Sequence, residues 1–134
     1  MMSFRSSSLL HQALLADAAI SGATGLLMLL GGGLLASLLG LPEALLRFAG
    51  LILLPYGVLV AYLGTRESPP RPAVWAVIAV NALWAADSIL LLLSGWVAPN
   101  ALGHVFVAAQ ALVVLIFAEL QYIGMRRFAA TAAA

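Results

Sequence analysis

Four long apolar runs, separated by short clusters of glycine, proline and charge, set the pattern of this chain. They cover 9–30, 44–64, 73–93 and 101–124, and each has the roughly 20 residues a helix needs to cross the hydrocarbon core of a bilayer. A spanning strand would instead alternate apolar and polar residues. The run LILL at 51–54 and the run ILLLL at 89–93 show no such alternation. A helix satisfies its own backbone hydrogen bonds, so four helices are predicted.

The breaks fit that reading. GGG at 31–33 and LGLPEA at 39–44 end the first run and open the second. Pro42 suits a first helical turn, and Glu43 suits its positive dipole end. TRESPPRP at 65–72 is the most polar loop, and SGWVAPN at 94–100 is a tight turn. The segment 34–41 reads either as a short interfacial helix or as an extension of the first span. Connections this short predict an all-α, four-helix up-and-down bundle forming one transmembrane domain over 1–134. The halves also resemble each other: DAAISGATGLLMLLGG (17–32) aligns without gaps to NALWAADSILLLLSGW (81–96), which sets Asp17 against Asn81. PEALLRF (42–48) matches PNALGHV (99–105), and the same register sets Tyr62 against Glu119. A duplicated helical hairpin is therefore expected, as a parallel repeat.

Composition places the chain in lipid. Of its 134 residues, 64% are hydrophobic and 8% charged, with a mean hydropathy of +1.11. A soluble domain of this size needs more polar surface than that. The net charge of +1 gives no case for nucleic acid. The absence of cysteine removes disulfides, thiolate metal sites and Cys nucleophiles. Arg5, Arg66, Arg71, Arg126 and Arg127 fall on one side of the predicted bundle and Arg47 alone on the other. By the positive-inside rule both termini and the middle loop are cytoplasmic. His11, Gln12 and Asp17 interrupt the first apolar run, so it reads as an uncleaved span rather than a secretory signal.

Candidate chemistry lies where polar residues interrupt the spans. A charge at the centre of a span costs roughly 2.5–3.5 kcal/mol on insertion scales, so such groups should face the interior and one another. Asp17, Ser21 and Thr24 share a face of span one, and Asn81, Trp84 and Ser88 a face of span three. Asp17, Asn81, Tyr62 and Glu119 are expected within roughly 10–12 Å of the cytoplasmic interface, with Asp87 nearer the midplane. The expected ligand-binding pocket comprises Asp17, Ser21, Asn81, Trp84, Asp87, Ser88 and Glu119. The plainer reading is that these groups only tie helices together, through hydrogen bonds worth about 0.6 kcal/mol each. Burial in hydrocarbon works against a charge, so proton exchange at a carboxyl group is a further reading.

Other positions have structural readings. His11 and His104 fall at opposite ends of the bundle, so neither a metal nor a haem is expected, and no cofactor is. Pro55 frees the Leu51 carbonyl and should bend its helix. Ala18, Gly22 and Gly25 let another helix approach span one. Trp75, Trp96 and Tyr122 suit the membrane interfaces. No phosphate loop, nucleophile triad or metal-ligand spacing is present.

The combination NALWAADS (81–88), SGWVAPNALGHVFVAAQA (94–111) and FAELQYIGMRR (117–127) resembles a set of small bacterial four-span membrane proteins without an assigned activity. The resemblance covers spans three and four best, and implies a bacterial inner-membrane protein. Small multidrug-resistance transporters also have four spans and an acidic residue in the first, as Asp17 stands here. This chain departs from them in its polar third and fourth spans and in lacking their aromatic-rich pattern.

The expected function is binding or transport of a hydrophobic or amphipathic small molecule within the bundle. The alternative is an accessory subunit, with a homo-oligomer or another membrane protein as partner besides lipids. A third reading is an intramembrane enzyme acting on a lipid-like substrate, with Asp17 or Glu119 as acid or base.

Overall fold

The computed structural model describes residues 8–133, with side chains as far as Phe128. Five helices follow one another: α1 (Leu9–Leu30), α2 (Gly32–Leu39), α3 (Glu43–Thr65), α4 (Arg71–Ser94) and α5 (Ala101–Ala133). No strand occurs among the described residues. All but α2 are long and apolar enough to cross a membrane. The chain is thus an all-α, multi-pass membrane protein built as a helix bundle. Arg5 lies outside the described residues.

Local chemistry sets the ends. The Ser8 hydroxyl accepts from the His11 N–H and caps α1. Gly31 separates α1 from α2, so 32–39 is a short helix of its own. Gly40 ends α2 with φ +70°, and Gly95 ends α4 with φ +81°, conformations that favour glycine. Asn100 joins two helix ends. Its Oδ1 accepts from Gly103 N at 2.8 Å to cap α5, while its Nδ2 donates to the Leu38 carbonyl at 2.8 Å and its backbone N–H to Leu39 O at 3.1 Å. This clamp holds α2 across the start of α5. Arg47 acts similarly: it donates to Leu29 O at 2.8 Å, near the C-terminus of α1, and pairs with Glu43 at 2.8 Å. Arg47, the one arginine at that end among the described residues, therefore has a structural role.

Each spanning helix hides a stripe with spacings of three and four residues, much like the seam of a coiled coil. On α3 it is Leu46, Gly50, Leu53, Gly57, Val60 and Gly64. On α5 it runs Gly103, Val107, Ala111, Ala118, Gln121 and Met125, with half-buried Val114 in the gap. Large apolar side chains such as Leu30, Phe48, Val58, Leu83 and Leu93 are exposed on the outside, as a protein whose solvent is lipid requires.

The helices run up and down, with the two termini at one end. In ring order they stand α3, α1, α5, α4. The α1–α3 and α4–α5 pairs pack closely, and α1 closes on α5, but α3 and α4 barely meet. Glycine makes the α1–α3 contact. A Cβ on Gly50 would lie 2.6 Å from the Gly25 carbonyl and 2.8 Å from Leu29 N, so the two backbones touch. One apolar core, including Leu10, Leu14, Val60, Val74 and Met125, fills the termini end. Another, including Met28, Leu39, Leu46, Leu53 and Val107, fills the far end. Polar groups lie between them.

Candidate functional site

The α1 stripe puts Asp17 at the meeting point of all four long helices, fully buried. Its Oδ1 accepts from Ser21 Oγ at 2.9 Å, one turn along α1. Its Oδ2 accepts from Tyr56 OH of α3 at 2.8 Å, Asn81 Nδ2 of α4 at 2.9 Å and Gln121 Nε2 of α5 at 2.8 Å. The donors also bond to one another. Asn81 Nδ2 reaches Gln121 Oε1 at 3.0 Å, and Tyr56 OH reaches Asn81 Oδ1 at 3.1 Å. Among the described residues no buried side-chain polar atom lacks a partner. One interhelical hydrogen bond contributes only about 0.6 kcal/mol, but Asp17 accepts from all four donors, so its loss would leave Ser21 Oγ and Gln121 Nε2 without their acceptor and Tyr56 and Asn81 with only their bonds to one another and to Gln121.

Nearer the far end the ring opens. Leu45, Ala49, Ile52 and Tyr56 form the face of α3 turned towards α4; Leu45, Ala49 and Tyr56 are partly buried and Ile52 is exposed. Tyr56 bridges the gap through Asp17 and Asn81. Beyond it α3 and α4 part around an apolar cleft of about 280 Å³, walled by Met28, Leu46, Phe48, Phe106 and their neighbours. Its rim includes the exposed Phe48, Ile52 and Asp87, so the cleft opens sideways towards the lipid. Three of its polar lining groups form a closed circuit. Trp84 Nε1 donates to Gln110 Oε1 at 2.8 Å, Gln110 Nε2 donates to Ser88 Oγ at 2.8 Å, and Ser88 Oγ donates to the Trp84 carbonyl at 2.7 Å. A void of about 30 Å³, bordered by Ser21, Tyr56, Asn81 and Trp84, lies between hub and cleft. It has room for a water.

The seven residues expected in one pocket therefore divide. Asp17, Ser21 and Asn81 meet in the hub; Trp84, Ser88 and Asp87 line the cleft. Glu119 belongs to neither and is exposed on the outer surface of α5. The physical reason is helical phase. Glu119 stands two residues, about 200°, from Gln121, so only one of them can face inward. Near the termini end of its span, the Glu119 side chain can extend towards the headgroup boundary. The α5 seam had already marked the inward position: a stripe through Val107, Ala111 and Ala118 continues to Gln121 and misses Glu119. Gln110 stands beside that same stripe. Tyr56 carried a weaker signal, one position from Gly57 and beside Pro55.

Tyr62 and Glu119, matched in the repeat register, are both exposed towards the termini end of their helices. Shared chemistry also pairs Tyr62 with Tyr122. Arg66 and Arg126 each donate to the tyrosine hydroxyl four residues earlier, at 3.4 and 3.0 Å, and each guanidinium lies 5.7 Å from that ring. His11, expected at the interface, is fully buried. Its Nε2 lies 2.8 Å from the Arg66 carbonyl and its Nδ1 2.6 Å from Ser8 Oγ, which ties the start of α1 to the loop after α3. His104 is exposed at the far end, at the start of α5.

Compared with known proteins, the chain matches no family model, no curated protein and no solved structure.

Proposed function

We propose that this protein binds a hydrophobic or amphipathic small molecule in the α3–α4 cleft, entered sideways from the bilayer. The carrying observation is the cleft itself. It is a concave apolar surface with a few placed polar groups, open where two spanning helices part. Ligand sites in helix bundles have this character. The Asp17 hub serves as the tie that holds the helices around it. Its donors and acceptor satisfy one another, which supports a structural role over acid–base chemistry.

The membrane is the bacterial inner membrane, with both termini cytoplasmic. Support comes from Arg66, Arg71, Arg126 and Arg127 at the termini end, against Arg47 alone at the other, where it is held by Glu43 and Leu29. Reporter fusions in the 66–70 loop and after Val97 should read cytoplasmic and periplasmic respectively; the reverse pattern overturns the orientation.

Binding is tested by filling the cleft. Ala49→Trp puts an indole into it from the α3 wall. Wild-type protein in lipid nanodiscs should hold a neutral amphiphile such as dodecanol saturably, and the variant should lose that binding while keeping its helix content. Equal uptake by both proteins would refute the cleft as the binding site.

A further inference from the structure

The cleft is lined by one ionisable side chain, and among the described residues no partner reaches it. Of the side chains that line it, only Asp87 is ionisable. Asp87 is exposed on α4, seven residues before the helix ends at Ser94. That places it about 10 Å inside the far end of the span, below the headgroups. No hydrogen bond or ion pair reaches its carboxylate among the described residues. The arginine at this end of the bundle, Arg47, is held by Glu43 and the Leu29 carbonyl. Of the cleft's other polar groups, Trp84, Ser88 and Gln110 spend their donors on one another and on backbone carbonyls, which leaves the half-buried Thr24 hydroxyl as the neutral group open to a ligand. A neutral headgroup entering the cleft would find few free partners. A positive one would find an unshared carboxylate in a medium of low dielectric, where attraction between opposite charges is strong.

Resting on the binding reading above, we propose that the occupant is a cationic amphiphile. Its charged head pairs with Asp87 at the rim, and its apolar body lies against Met28, Leu46, Phe48 and Phe106. Size supports a small molecule over a partner helix. A space of about 280 Å³ is at the small end for ligand sites, whereas a helix with its side chains is about 10 Å across. An alkyl chain or small ring system with a single amine fits those limits.

Glu119 provides an internal control. It is also an exposed carboxylate on a spanning helix, but it does not line the cleft. The full chain is placed in phosphatidylcholine nanodiscs with Trp75 and Trp96 replaced by Phe, so that emission comes from Trp84 at the cleft. Dodecylammonium and dodecanol, which share one chain length, are titrated separately. Dodecylammonium is expected to bind at least ~10-fold more tightly than dodecanol. Asp87→Asn should bring it down to the dodecanol level without changing dodecanol binding. Asp87→Glu should keep the preference, and Glu119→Gln should leave both curves unchanged. Asp87 bonds to no neighbour, so the Asn variant should fold, which its helix content checks. Equal affinity for both compounds in the wild type, or a preference that survives Asp87→Asn, overturns the cationic ligand while leaving the cleft reading standing. Saturable binding of neither compound, or of both despite Ala49→Trp, overturns the two together.

Discussion

The two ends of the bundle treat polarity in opposite ways. Towards the termini, every polar side chain that enters the interior is answered: Asp17 takes donors from its own helix and from three others. Towards the far end, the Trp84–Ser88–Gln110 circuit closes on itself and leaves Asp87 at the mouth of a cleft with nothing to pair with. The difference arises on one face of α3. Tyr56 has the length and the hydroxyl to span the gap to α4, whereas Ala49 and Ile52 have neither. The same helix thus seals the bundle at one depth and opens it at another. Cohesion and binding are carried by separate polar groups only a few turns apart.

Substitutions at the closed end should damage stability first. Asp17→Leu removes the acceptor common to three interhelical donors. It should cost about 3 kcal/mol, well beyond a single interhelical hydrogen bond; reversible unfolding in mixed detergent micelles measures this. A loss of only a few tenths would show that the hub is not the tie described here. Gly50→Ala comes next. Its methyl group would meet backbone atoms of Gly25 and Leu29, and backbone cannot swing aside as a side chain can. Roughly 2 kcal/mol of overpacking strain is expected, seen as a lowered thermal midpoint. Gln121→Leu deletes one donor to Asp17 and one acceptor of Asn81, for about 1 kcal/mol. Glu119→Gln, two residues away and facing outward, should leave the unfolding curve where it is. If the last two variants changed places in that order, the inward phase of α5 would be wrong. At the open end Ala49→Trp should sharpen the contrast, abolishing ligand uptake with little effect on unfolding.

Much of the architecture was legible from residue pattern. The helix ends at 30, 43, 94 and 101 follow from Gly31, Pro42, Gly95 and Asn100, whose conformational and capping preferences are local. The convergence of Asp17, Ser21 and Asn81 was legible too, since polar groups at matching depths in hydrocarbon have few other places to go. Two things misled. Glu119 drew attention because a carboxylate costs more in lipid than an amide, but cost alone does not decide which face a residue occupies. Gln121 lies on the apolar seam, where a neutral amide is a weaker signal than a carboxylate. His11 looked interfacial by position in the chain. It is buried because the loop after α3 folds back and offers the Arg66 carbonyl and Phe128 of α5 packs edge-on against its ring, which no local pattern announces.

Sequence alone determined the medium, the helical class, the number of spans and where each begins. These depend on hydropathy and on backbone hydrogen bonds made within a few residues. Tertiary structure decided which polar groups meet and where the bundle stays open. Those outcomes depend on how closely two backbones approach, and bare glycines at Gly25 and Gly50 draw α1 and α3 together while nothing comparable draws α3 to α4. The rotation of a whole helix then settles whether Gln121 or Glu119 faces the core, because one helix cannot turn both inward.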